Sequence, residues 1–192
     1  GRNGTLAVEA GEQLANGLIW QPLGGRDGGA ILFDGDGPSG ENPQPRIQIP
    51  TAGMSPAAGS VALWINLTDP APVNDDSRSG NIYFFGMHNG SQDRVQLYTY
   101  SSARLKYSIG NYSYSGTAGY QFIRGGWTHI AIKWDNGSYS IYIDGELNTG
   151  GSYNAAYFDI LPATADIGNT GETSKNASMH GLIDDVHTYS HA

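Results

Sequence analysis

Residues 127–145 read Trp127-Thr128-His129-Ile130-Ala131-Ile132-Lys133-Trp134-Asp135-Asn136-Gly137-Ser138-Tyr139-Ser140-Ile141-Tyr142-Ile143-Asp144-Gly145, two alternating apolar runs about a central Asn-Gly. A type I′ turn needs φ > 0 at both central residues, which Asn-Gly supplies, so the pair predicts a two-residue hairpin loop. That turn fixes the register. Trp134 faces Tyr139, Ile132 faces Ile141 and Ile130 faces Ile143, all on one side. Lys133 with Ser140, Ala131 with Tyr142 and His129 with Asp144 fall on the other, wetter side. A slip of one residue would exchange the two faces, so the apolar pattern itself pins the pairing.

The composition agrees with a chain of strands. Among 192 residues are 28 Gly and 12 Tyr, and only 15% are charged, a balance that suits short strands and tight turns rather than long helices. No stretch sustains helical periodicity, and no 18-residue apolar run predicts a membrane span. A chain of this length suits one domain, here 1–192, with 1–19 as an incomplete or extended leading segment anchored by Leu6, Val8, Leu18 and Ile19. There is no cysteine, so the fold relies on its core and on any metal it holds. The formal net charge of −8, with scattered cations, disfavours nucleic acid as the partner. Six of the 13 Asn residues, Asn3, Asn66, Asn89, Asn111, Asn136 and Asn176, start N-x-[ST] sequons. Chance would give about two, so the excess predicts a glycosylated extracellular or cell-surface protein. The competing reading is that Asn, Ser and Thr crowd together in β-turns.

Further strands follow along the chain. Residues 30–33 read as a strand entering an acidic turn, 46–49 and 61–67 alternate, and 82–87 is apolar on both faces, as a central strand should be. Residues 94–100 and 104–109 share one apolar face, Val95, Leu97 and Thr99 with Leu105, Tyr107 and Ile109, when three residues join them. The opposite face then carries Arg94, Gln96, Tyr98, Tyr100, Arg104, Lys106 and Ser108, and 111–114 extends it with Tyr112 and Tyr114. Residues 36–45, 69–81 and 148–158 read as loops, and 165–168 and 179–189 as the last strands. About eleven short strands without helices predict an all-β, antiparallel two-sheet sandwich.

Three motifs occur in order: Leu32-Phe33-Asp34-Gly35, then Gly126-Trp127-Thr128-His129-Ile130-Ala131 with Ile141-Tyr142-Ile143-Asp144-Gly145, then Gly181-Leu182-Ile183-Asp184-Asp185-Val186. Over residues 30–190 the series resembles the concanavalin A-like lectin/glucanase superfamily, in its laminin-G-like jelly-roll branch. The resemblance implies two curved antiparallel sheets and binding of glycans or proteins outside cells. It also implies a structural Ca²⁺ between the early strand and the last, with Asp34 and Asp184 as ligands and Asp36 and Asp185 as neighbours able to substitute. The plainer reading makes these carboxylates acceptors for backbone N–H groups in turns.

Glycans are gripped by aromatic stacking and planar polar groups. Tyr98, Tyr100, Arg94, Arg104 and Gln96, joined by Tyr112 and Tyr114, form such a set; the plainer reading is a set of cross-strand pairs that only stabilise the sheet. Trp64 and Trp127 read as structural because they sit inside the fold motifs. Retaining glycosidases need two carboxyls about 5–5.5 Å apart, and no strand spaces acids that way. His129 opposite Asp144 reads as a cross-strand hydrogen bond rather than an acid–base pair, and no histidine has zinc spacing. The expectation is a non-enzymatic, extracellular, lectin-like module that binds a glycan or polysaccharide and does not insert in membranes. A glycosylated structural or adhesive surface protein (appendage, envelope or virion subunit) working through protein contacts or self-assembly is second, and a polysaccharide-active enzyme third.

Overall fold

The computed structural model describes residues 13–14, 17–33, 45–68, 81–100, 103–169 and 179–191, with the backbone alone for Gln13, Leu14, Tyr100 and 112–114. Asp34, Asn3 and Asn176 lie outside the described residues. Thirteen strands are described: β1 (Gln13–Leu14), β2 (Leu18–Gln21), β3 (Ala30–Phe33), β4 (Ile47–Pro50), β5 (Ala58–Leu67), β6 (Ile82–Asn89) and β7 (Gln92–Tyr100). They continue with β8 (Arg104–Gln121), β9 (Trp127–Asp135), β10 (Ser138–Ile143), β11 (Glu146–Ser152), β12 (Thr164–Ile167) and β13 (Gly181–Tyr189). The one helical piece among the described residues is a 3-10 turn, Ala155–Tyr157, capped by the Asn154 side chain.

These strands form two antiparallel sheets, an eight-stranded one in the order β1-β2-β3-β13-β5-β9-β10-β11 and a five-stranded one in the order β4-β12-β6-β7-β8. The expected sandwich is therefore the observed fold. Its central hairpin has the register that the Asn-Gly turn dictates: Trp134 pairs with Tyr139, Ile132 with Ile141 and Ile130 with Ile143. Asn136 and Gly137 take φ of 43° and 92°, the left-handed pair a type I′ turn requires. Burial alternates strictly along β5 and β9, because each gives every second residue to the space between the sheets. Leu63, Ile65, Ile130, Ile132 and Ile141 from the large sheet meet Phe85, Val95, Leu97, Leu105 and Ile109 from the small one, all of them closed to water. Trp134 is the largest of these side chains, and its ring N–H donates to the Ser55 carbonyl at 3.0 Å. Truncating a buried Trp of this kind costs about 3–5 kcal/mol.

The pairing of β7 with β8 also follows the expected parity, with Val95 opposite Ile109, Leu97 opposite Tyr107, Thr99 opposite Leu105 and Tyr100 opposite Arg104. β6 sits between β12 and β7, which accounts for its apolar run. A register shift between Tyr83 and Phe85 lets Phe84 and Phe85 both enter the core.

Two segments differ from expectation. Residues 148–158, read as a loop, contribute most of β11, which pairs with β10 across a register shift between Ile141 and Tyr142. β11 lies at the sheet edge and is exposed at six of its seven positions, so nothing imposes apolar alternation on it. The run after residue 110 does not merely extend β8. It doubles back: the Phe122 N–H donates to the Ala103 carbonyl at 2.9 Å, and Ser108 Oγ meets Ser115 Oγ at 2.8 Å.

Candidate functional site: the outer face of the five-stranded sheet

One row of residues runs across all strands of the small sheet. Gln48 pairs with Asp166, Asp166 with Gly86, Gly86 with Gln96, and Gln96 with Ser108. Their chain neighbours Ile47, Ile49, Ala165, Ile167, Val95, Leu97, Tyr107 and Ile109 face the core, so pleating sends this row outward. Gly86, in the central strand, has no side chain, and a depression opens above it. The pocket measures about 210 Å³ and is lined by Arg46, Gln48, Gly86, Met87, His88, Pro162, Thr164 and Asp166. Gln48 and Thr164 are exposed at the rim, whereas Gly86 and Asp166 are buried at the floor.

Asp166 is the unusual member. It is 7% exposed, and its Oδ1 lies 3.6 Å from Arg46 Nε yet accepts no hydrogen bond. Burial pushes its carboxyl above the usual range, and the Gln48 side chain, Arg46 and His88 only partly offset that. On the next strand of the row, Gln96 Nε2 is also buried without an acceptor, because Arg94 holds Gln96 Oε1 at 2.7 Å and so fixes the amide orientation.

The residues expected to grip a glycan are therefore divided. Arg94 and Gln96 are each 1% exposed, so they do not offer themselves to solvent as an open polar face would. Arg94 also donates to the Gly90 carbonyl and braces the start of β7. Tyr98, 9% exposed, packs on Tyr83 with ring centroids 4.9 Å apart. This is the cross-strand packing of the plainer reading. Arg104 is exposed on the same face. The side chains of Tyr100, Tyr112 and Tyr114 lie outside the described residues. Arg46, Gln48, His88, Thr164 and Asp166 went unread in the sequence. Parity was the available signal, since in Ala165-Asp166-Ile167 the apolar neighbours face inward and must turn Asp166 outward.

Of the carboxylates expected at a metal, Asp184 and Asp185 are among the described residues. Asp184 Oδ2 accepts the backbone N–H of Arg26 at 2.8 Å and of Asp27 at 3.4 Å, which pins the 22–29 loop. Phe33, where β3 ends, pairs with Gly181, whereas Ile183 pairs with Ile31. Asp184 thus lies about 10 Å along the strands from Phe33. The other expected ligand, Asp34, lies outside the described residues. Among the described residues no group of three His, Asp or Glu side chains converges as a metal site. Asp185 is not simply on the opposite strand face; it takes φ of 50° at a register shift and meets His187 Nε2 at 2.6 Å.

His129 and Asp144 do meet across the hairpin, but through the backbone. Asp144 Oδ1 accepts the His129 N–H at 2.9 Å, and the Asp144 N–H donates to the His129 carbonyl. The imidazole instead packs on Trp64, 5.1 Å between centroids, and Arg26 covers the same indole at 5.2 Å. Trp64 and Trp127 occupy the partly exposed outer face of the large sheet, not the core. Among the sequons, Asn89 uses its amide to hold Asp93 Oδ2 and the Ile160 carbonyl, and Asn66 donates to the Gly125 carbonyl. Asn111 is half-buried in β8, and Asn136 is exposed at the hairpin tip.

A laminin-G-type family model described as "Concanavalin A-like lectin/glucanases superfamily" matches residues 40–192. The chain belongs to that superfamily. Among curated proteins no sequence match is found. Several solved structures share this lectin/glucanase-type sandwich. Domain 4 of AbnA, a GH43 extracellular arabinanase from Geobacillus stearothermophilus in complex with arabinotriose, aligns with TM-score 0.65 and 21% identity over 94% of this chain and 78% of its own. A heptameric SAP-like pentraxin from Limulus polyphemus aligns with TM-score 0.58 and 18% identity over 81% of this chain and 74% of its own. Domains LG4-5 of the mouse laminin alpha1 chain align with TM-score 0.59 and 14% identity over 83% of this chain and 40% of theirs. At these identities the likeness is one of fold.

Proposed function

We propose that this sandwich is a non-catalytic carbohydrate-binding module that works outside the cell. The observation that carries the reading is the pocket over Gly86, a polar depression with a buried carboxylate oxygen that lacks a hydrogen-bond donor. Sugars bring many O–H donors, and such a floor suits them better than it suits an apolar ligand. The arabinotriose bound to the arabinanase domain makes a small oligosaccharide the first ligand to try. The pocket lining holds one carboxylate, Asp166, where glycoside hydrolysis by the usual routes needs two. No described helix is long and apolar enough to cross a membrane. A broad glycan array, probed with folded protein in calcium-containing buffer, tests the reading. Binding that weakens on Gln48→Ala supports it, and an array without a single bound glycan overturns it.

A second reading, contact with other proteins or with copies of itself, is favoured by β11. This edge strand is exposed at six of seven positions and carries no Lys, Arg or Pro to discourage a further strand from pairing. Size-exclusion chromatography with light scattering tests it. A concentration-independent monomer ends its self-association form.

A further inference from the structure

We propose that the pocket over Gly86 takes one ring of an uncharged sugar, held by a ring hydroxyl that donates to Asp166 Oδ1. This rests on the carbohydrate-binding reading and narrows it. The unmet atom is an acceptor: Oδ1 is buried, and Arg46 stands too far off, at 3.6 Å, to supply a hydrogen bond. An O–H from a ligand supplies that donor, and a charge-assisted hydrogen bond of this kind is stronger than a neutral one.

Charge then sorts the candidates. A uronate or sulfated sugar brings its anion against the Asp166 carboxylate. An amine brings its cation against the Arg46 guanidinium and the His88 ring, both of which line the same pocket. A polyhydroxyl ring without charge offends neither. Size agrees: about 210 Å³ is below the ~300–1,000 Å³ typical of drug-sized ligands, so it suits a single ring rather than a chain. Gly86 supplies the approach, because any side chain at that position would stand in the floor of the row. The exposed Gln48 and Thr164 at the rim offer further hydrogen bonds to the hydroxyls that point outward.

The test is isothermal titration of the whole chain with arabinotriose, cellotriose and maltotriose, and with trigalacturonic acid as the anionic probe. Wild type, Asp166→Asn, Gly86→Val and Gln48→Ala are compared after thermal melts confirm that each is folded. At least one neutral trisaccharide should bind, trigalacturonic acid should bind at least tenfold more weakly, and Asp166→Asn should weaken the neutral sugar at least tenfold. Preference for trigalacturonic acid, or neutral binding unchanged in Asp166→Asn and in every folded variant, overturns this assignment and leaves carbohydrate binding intact. Binding of no saccharide at all, neutral or anionic, overturns both.

Discussion

Asp166 sits where a carboxylate is disfavoured, and that is what marks it. Burial raises its pKa above the ordinary 3.8, so the folded chain holds the proton more tightly than the unfolded chain does. The cost of ionisation is fully present above the raised value and is relieved as pH falls through it toward 3.8. Asp166→Asn is therefore expected to melt higher than wild type at pH 7, with the gap closing as the pH is lowered toward 4. Melting curves at stepped pH check this. A variant that melts lower at pH 7, or a gap indifferent to pH, would show that Asp166 stabilises the fold rather than serving a ligand. Asp184 is the opposite case, a carboxylate whose Oδ2 is supplied with two backbone donors. Asp184→Ala is expected to lose about 1–3 kcal/mol through those donors, and by the same amount in calcium as in EDTA. A loss that appears only with calcium would instead point to a metal at this position.

At the scale of single elements, the turn is what made the hairpin readable. Asn136-Gly137 allows only one register between β9 and β10, and the apolar residues agree with it. Gly137 holds φ of 92°, and a Cβ there would come 3.1 Å from the Tyr153 carbonyl oxygen. Gly137→Ala is expected to destabilise by about 1–2 kcal/mol, the cost of a left-handed non-glycine residue, without changing the fold. Denaturant unfolding followed by tryptophan fluorescence measures it, and an unchanged midpoint would contradict the turn assignment. Elements that bury one face were legible for this reason: β5, β7 and β9 announce themselves through alternation. The returning half of β8 and the edge strand β11 were not, because backbone pairing alone holds an exposed, Gly-rich strand such as 146–152 in place. The site was half legible for a related reason. Parity correctly placed Arg94, Gln96 and Tyr98 on the outer face, but it says nothing of what covers a face or of which strands flank it. Asp166 comes beside Gly86 only through pairing of β12 with β6, about 80 residues apart in sequence, which no local pattern records.

For the molecule as a whole, two sheets close on an apolar layer, and each keeps a different outer surface. The large sheet presents Trp64, His129 and the pinned 22–29 loop; the small sheet presents the row with the unmet carboxylate. The proposed carbohydrate recognition belongs to the second surface. The most direct measurement is a titration of ¹⁵N-labelled protein with arabinotriose followed by amide chemical shifts. Saturable shifts centred on Gln48, Gly86, His88 and Asp166, with the Trp64 and His129 amides unmoved, are expected. Shifts centred on Trp64, His129 and Arg26 instead, or none at millimolar sugar, would contradict the assignment.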